Sequence, residues 1–283
     1  MRKALAGVLL LLSCGRFHFT PPQSRPVEGP PDSISGTLLL FGKIGNDYGT
    51  FYVGVDSLSL RVLLDLPGSD EVYPKFWGGA VLLSSNARGD FGIMRYDGDT
   101  ATLYDAPSDQ LWPAVSPSNR YVAFITFHLD AGGNLALYDR NTSLVQVWYD
   151  GSDTLSFPSF VDERHLLAVR NGRLEVFSLD SLTWTPWVLL HGIPAYPTPS
   201  PDRGSLAVVE ASDSFRILLI PLSSPERRES LVAFPDSIRG LAWSPDGGYL
   251  AFGYGKGVYL TDTSGNLYSL MDSIGTVWVS DWK

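Results

Sequence analysis

Leu241-Ala-Trp-Ser-Pro-Asp-Gly-Gly-Tyr-Leu-Ala-Phe252 is an apolar start, a Ser-Pro-Asp-Gly turn and a short hydrophobic strand. Proline presets φ, aspartate bonds the local backbone, and glycine suits the position where φ is positive. The phrase recurs as Pro113-Ala-Val-Ser-Pro-Ser-Asn-Arg-Tyr-Val-Ala-Phe124 and as Pro197-Thr-Pro-Ser-Pro-Asp-Arg-Gly-Ser-Leu-Ala-Val208. Degenerate copies begin at Pro74 and Pro158, so the starts are 39, 45, 39 and 44 residues apart. A second landmark keeps the same period. Alternating apolar strands end at Asp56, Asp97, Asp139, Asp180, Leu222 and Asp262, spaced 41, 42, 41, 42 and 40 residues. A third apolar segment closes each unit, as in Arg61–Leu66, Leu144–Tyr149 and Leu231–Phe234. Helical periodicity is nowhere strong, and about four short strands per forty residues is the pattern of a β-propeller blade.

The two ends of the repeat complete one another. Val277–Trp282 matches the start of the phrase, with Ser280 in the place of Ser244, and stops before the next strand. Gly36–Phe41 supplies that strand. The expected fold is therefore all-β: a six-bladed β-propeller of four-stranded blades, the first closed by the N- and C-terminal strands. Such closure pairs backbone groups that two open sheet edges would leave exposed.

The chain has 283 residues, of which 44% are hydrophobic and 18% charged, too apolar for a disordered protein. Its net charge is −9, so a general nucleic-acid partner is not expected. Met1-Arg2-Lys3 followed by the apolar run Ala4–Leu12 reads as a secretory signal, too short to span a bilayer. The run ends Leu11-Leu12-Ser13-Cys14, which resembles a bacterial lipobox; Cys14 is the only cysteine in the chain. The resemblance implies a lipidated Cys14 as membrane anchor, and Gly15 after it implies sorting to the outer membrane. Residues 1–13 are thus expected to be the signal and 14–33, with five prolines, a semi-stiff tether. Residues 34–283 form the propeller.

Ser244-Pro-Asp-Gly with Tyr249-Leu-Ala-Phe252 resembles the repeat of TolB-type propellers over Gly36–Lys283. The resemblance implies the architecture and a tendency to bind other proteins in the cell envelope.

No catalytic residues are identified. The chain lacks the Gly-x-Ser-x-Gly of α/β-hydrolases and a Walker loop. Gly253-Tyr-Gly-Lys-Gly257 reads as a tight hairpin. His18, His128, His165 and His191 fall in different units without metal-ligand spacing, so neither a metal nor another cofactor is expected. His165 reads as a surface residue, and His128 with Asp130 as a solvated loop or a small site. The strand-end aspartates read as turn caps.

One pattern suggests binding. The residue before the phrase-opening proline is aromatic in four units, Tyr73, Trp112, Phe157 and Tyr196, with Gly240 and Thr276 in the other two. These positions fall near one mouth of the central channel. The rings either wedge between blades as core or form a collar that grips a peptide or sugar face. Glu71, Asp109, His191 and Arg239 are the expected polar contacts. The reading is a monomeric, non-enzymatic envelope protein that docks a protein or peptide partner. The alternative is a glycan-binding or polysaccharide-lyase-type propeller with a channel metal.

Overall fold

The computed structural model describes residues 27–29, 31, 34–44, 47–127, 132–148 and 153–283. Cys14, His128, Asp130 and most of the proline-rich stretch lie outside them.

The strands run in chain order as β1 (Val27–Glu28), β2 (Thr37–Ile44), β3 (Asp47–Gly54) and β4 (Ser59–Leu64). Blade 2 is β5 (Glu71–Trp77), β6 (Ala80–Ser85), β7 (Gly92–Tyr96) and β8 (Thr100–Tyr104). Blade 3 is β9 (Gln110–Val115), β10 (Tyr121–Phe127), β11 (Gly133–Asp139) and β12 (Leu144–Trp148). Blade 4 is β13 (Leu155–Phe160), β14 (His165–Arg170), β15 (Arg173–Ser178) and β16 (Thr183–Val188). Blade 5 is β17 (Ile193–Pro199), β18 (Ser205–Ala211), β19 (Phe215–Pro221) and β20 (Glu229–Phe234). Blade 6 is β21 (Arg239–Trp243), β22 (Tyr249–Tyr254), β23 (Gly257–Asp262) and β24 (Leu267–Met271). The final strand, β25 (Val277–Trp282), pairs with β2 and completes blade 1 in the order β25-β2-β3-β4.

The innermost strands touch in a closed cycle: β5 to β9, β13, β17, β21, β25 and back to β5. The molecule is thus a six-bladed propeller, as the repeat implies. Its closure sets Phe41 opposite Trp278 and Leu40 opposite Val279. Thr37 N donates to Lys283 O at 2.6 Å and Lys283 N to Thr37 O at 3.0 Å.

The core lies in the second strand of each blade. Leu82 and Leu83, Val122 through Ile125, Leu166 through Ala168, and Leu206 through Val208 are fully buried. Neighbouring blades cover both faces there, so these strands read as continuous apolar runs rather than as alternation. No residue of the outer strands β4, β8, β12, β16 and β20 is buried.

The Ser-Pro turns join the first and second strands. Ser116, Ser200 and Ser244 each receive a turn bond from the residue three ahead, all at 2.9 Å. Their hydroxyls accept the amides of Tyr121, Ser205 and Tyr249 at 3.1, 3.0 and 2.9 Å. Serine therefore replaces a missing ladder bond where the chain reverses. The Gly253–Gly257 hairpin forms as expected, with Tyr254 opposite Gly257. Capping holds for Asp139, which accepts Asn141 N, and for Asp262, which accepts Ser264 N and Asn266 N. Asp97 and Asp180 instead pair with Arg95 and Arg164. His165 is half-buried and bonds Asp162.

Within the stretch read as tether, β1 adds to blade 6 as a fifth strand, parallel to β24, setting Val27 opposite Tyr268 and Glu28 opposite Ser269. The edge of β24 offers unpaired backbone groups, and a parallel partner satisfies them without a hairpin.

Candidate functional site

The aromatic residues before each proline occupy a β-bulge. The ladder shifts between Val72 and Lys75 in β5, and likewise at Trp112, Phe157 and Tyr196 in β9, β13 and β17. Proline has no N–H to give the second strand, so the ladder breaks at that point. The residue before it turns into the left-handed region: φ is 56° at Tyr73, 57° at Trp112, 51° at Phe157 and 53° at Tyr196. For a residue with a Cβ that conformation costs about 1–2 kcal/mol. Packing of the rings around the axis offsets the cost.

The rings form an arc in contact. Centroids lie 5.7 Å apart for Tyr73–Trp112, 4.9 Å for Trp112–Phe157 and 4.6 Å for Phe157–Tyr196. Phe41 continues the arc, 4.8 Å from Tyr73 and stacked 5.3 Å from Trp278. The last place belongs to Trp278, not to Thr276, the position that matched by sequence. In β25 the bulge falls at Ser280, so the side chain that reaches the axis is two residues later than the repeat suggests. The Trp278 indole beside Tyr196 partly offsets the rise that burial gives its hydroxyl pKa. In blade 6 the bulge residue is Gly240, φ 75°. A Cβ there would stand 1.7 Å from Val279 O. Glycine lets β21 and β25 approach backbone to backbone where the other seams are spaced by rings.

The rings are core to one another: Trp112 is only 5% exposed. Burial raises the Tyr73 hydroxyl well above the usual phenol range and pushes Tyr196 up to about 12. Tyr196, on the blade opposite, adds electrostatically to the rise in the Tyr73 pKa. Both stay protonated at neutral pH. The rings also form the floor of a cavity of about 180 Å³. Its walls are residues after the rings in sequence, including Pro113, Pro158 and Pro197, so it opens toward the Ser-Pro turns.

Of the expected polar contacts, none lines this cavity. Glu71 is fully buried and accepts Leu66 N at 3.0 Å, Ser69 Oγ at 2.6 Å and Ser85 Oγ at 3.1 Å. Asp109 accepts Phe91 N at 3.1 Å. His191 is exposed, and its Nε2 lies 2.9 Å from Arg228 Nη2. Arg239 alone of the four meets the rings. Its guanidinium lies 5.7 Å from the Trp278 ring centroid, and its Nε donates to Val277 O at 3.1 Å. It meets the rings without lining the cavity. Burial lowers its pKa, opposed by Tyr196, Tyr254 and Asp236, and it remains a cation.

Two cations that sequence reading passed over do line the cavity: Lys75 and Arg203. Both leave a signal. Lys75 follows Tyr73-Pro74 where the other copies have Ala114, Ser159, Thr198 and Ala242. Arg203 stands where the motif has Gly247, and keeps φ at 59° without being glycine. Lys75 Nζ donates to Ser280 O, and Arg203 Nη1 to Phe160 O at 2.7 Å. Asp281 also lines the cavity, and its carboxylate accepts Phe76 N at 2.9 Å. Among the described residues no group of three His, Cys, Asp or Glu side chains is arranged to hold a metal ion.

No family model matches the chain, and no curated protein matches it by sequence. Solved structures do match its fold. TolB from Acinetobacter baumannii superposes with a TM-score of 0.73 at 14% identity, over 89% of this chain and 67% of that one. A putative TolB from Agrobacterium tumefaciens gives 0.63 at 14% identity, over 87% of this chain and 97% of that one. An oligogalacturonate lyase in complex with manganese gives 0.60 at 12% identity, over 83% and 73%. The chain therefore has the TolB-like six-bladed propeller fold.

Proposed function

We propose that this chain is a lipid-anchored, non-enzymatic envelope protein that receives a protein or peptide partner in the ring-floored cavity. The carrying observation is the floor itself. Tyr73, Trp112, Phe157 and Tyr196 are all held in a costly backbone conformation beneath an open cavity. Strain maintained at several positions around one pocket is what a preorganised binding surface requires. Large rings give contact area with little side-chain entropy to lose. The walls are proline and backbone, rigid before the partner arrives. The TolB-like fold supports a role in protein interaction, and the lipobox-like Leu11–Cys14 supports anchoring, on the periplasmic face of the outer membrane.

The test is photocrosslinking in intact cells from a reactive residue placed at Ser159, on the cavity wall. An adduct with one envelope protein is expected. Filling the cavity with Ser280→Phe should remove that adduct while cooperative unfolding is retained. An adduct that survives the blocked cavity would place the partner elsewhere. Cys14→Ser should move the protein from the membrane to the soluble fraction and abolish fatty-acid labelling. A protein still membrane-bound after that change would refute the anchor.

A further inference from the structure

We infer that the cavity is selective for an acidic peptide: a segment whose apolar side chain lies on the aromatic floor, with side-chain carboxylates beside it meeting Lys75 and Arg203. This rests on the cavity being the docking site and adds the chemistry of what docks.

The argument is one of charge. The protein carries −9 overall, yet the cavity wall holds two cations and a single carboxylate, Asp281. Among the described residues neither cation forms an ion pair; their hydrogen bonds go to the carbonyls of Ser280 and Phe160. A carbonyl fills one donor and brings no counter-charge of its own. Asp162 and Glu163 favour the charge on Arg203 without pairing with it, and burial lowers its pKa. A half-buried guanidinium without a carboxylate partner is a costly arrangement, and an incoming carboxylate would relieve it.

The placement decides the shape of the ligand. Lys75 reaches from blade 2 to β25 of blade 1, and Arg203 from blade 5 to blade 4. In a ring of six those two seams are diametrically opposed. The cations therefore face one another across the cavity rather than converging, as a single phosphate would require. Opposed cations above an apolar floor match a segment with an apolar residue between two acidic ones. Arg203 also occupies a turn position that glycine fills at Gly247 and asparagine at Asn119, with φ of 74° and 60°. Retaining arginine there sacrifices backbone stability for a charge on the cavity wall.

Three tripeptides test the inference, read by quenching of the protein's tryptophan fluorescence. They are acetyl-Glu-Phe-Glu-amide, acetyl-Gln-Phe-Gln-amide, and acetyl-Gln-Phe-Gln with a free terminal carboxylate. The acidic amide should bind at least about tenfold tighter than the neutral one, a difference of about 1.4 kcal/mol. The preference should shrink as salt is raised. Lys75→Met with Arg203→Gly should remove the preference with no fall in melting temperature, because glycine suits that turn; Arg203→Asn is the second fold control. Equal binding of the acidic and neutral amides, or a preference that survives both substitutions, overturns the charge selectivity and leaves the docking site standing. If the free-terminus peptide matches the acidic amide, the carboxylate comes from a chain end and the side-chain assignment is overturned. If no peptide binds saturably, the docking site fails with it.

Discussion

Blades 2 to 5 and the seam between blades 6 and 1 close the same ring in opposite ways. At the four bulges of Tyr73, Trp112, Phe157 and Tyr196, neighbouring inner strands are held apart by rings that stand in the axis. At Gly240 there is no side chain, and the carbonyl of Val279 takes the space a Cβ would need. The ring is therefore asymmetric, with bulk on one arc and a backbone contact on the other. A propeller needs its inner strands at a fixed spacing, and that spacing is met by a large side chain or by none. An intermediate residue would fit neither arc.

The largest test removes the seam. Deleting residues 277–283 leaves β2 and β21 without their partner and strips Trp278 from the floor; cooperative unfolding by circular dichroism should be lost. A cooperative transition that survives would show that blade 1 holds without its last strand. Next, Gly240→Ala forces a Cβ against Val279 O at a residue with φ 75° and should cost more than about 3 kcal/mol in urea denaturation. A loss under about 1 kcal/mol would mean that the seam is loose. Trp112 probes the other arc. Trp112→Ala should cost about 3–5 kcal/mol through the cavity it leaves. Trp112→Gly removes one more carbon, yet should be the more stable of the two by about 1 kcal/mol, because only glycine is at ease at φ 57°. The reverse order would remove backbone strain from the account of the floor.

Arg203→Gly should raise stability by about 0.5–1 kcal/mol for the same reason, seen as a higher melting temperature. No gain would mean that the Phe160 bond repays the turn. The smallest effect concerns pH. Ser244 and Ser200 donate to Asp246 and Asp202, holding both carboxyls below their ordinary 3.8. Lowered carboxyls contribute stability that is full above the ordinary value and lost as pH falls through the lowered one. Stability should thus stay level down to about pH 4 and decline below it. Asp246→Asn should flatten that decline, and an unchanged acid limb would assign it to other carboxylates.

Much of the fold was legible because each blade repeats the same local chemistry. Ser-Pro turns, the Gly255-Lys256 hairpin and apolar second strands are set by residues close in sequence, and their period counts the blades. The four ring positions were visible for the same reason. Trp278 was not, since the bulge of β25 sits at Ser280 and shifts which residue reaches the axis. Glu71 looked free in sequence because its partners Leu66, Ser69 and Ser85 come together only when blade 2 folds. Lys75 and Arg203 departed visibly from the repeat, but a departure says nothing of which side of the channel it faces.

The sequence by itself determined the number of blades, their turns and the sharing of one blade between the chain's two ends, because these follow from residues near one another and from a fixed period. The tertiary structure alone decided that the aromatic residues meet as a floor, that the cavity lies beyond them toward the turns, and that two cations oppose one another across it. Those are relations between blades some forty to two hundred residues apart, and only closure of the ring sets their distances.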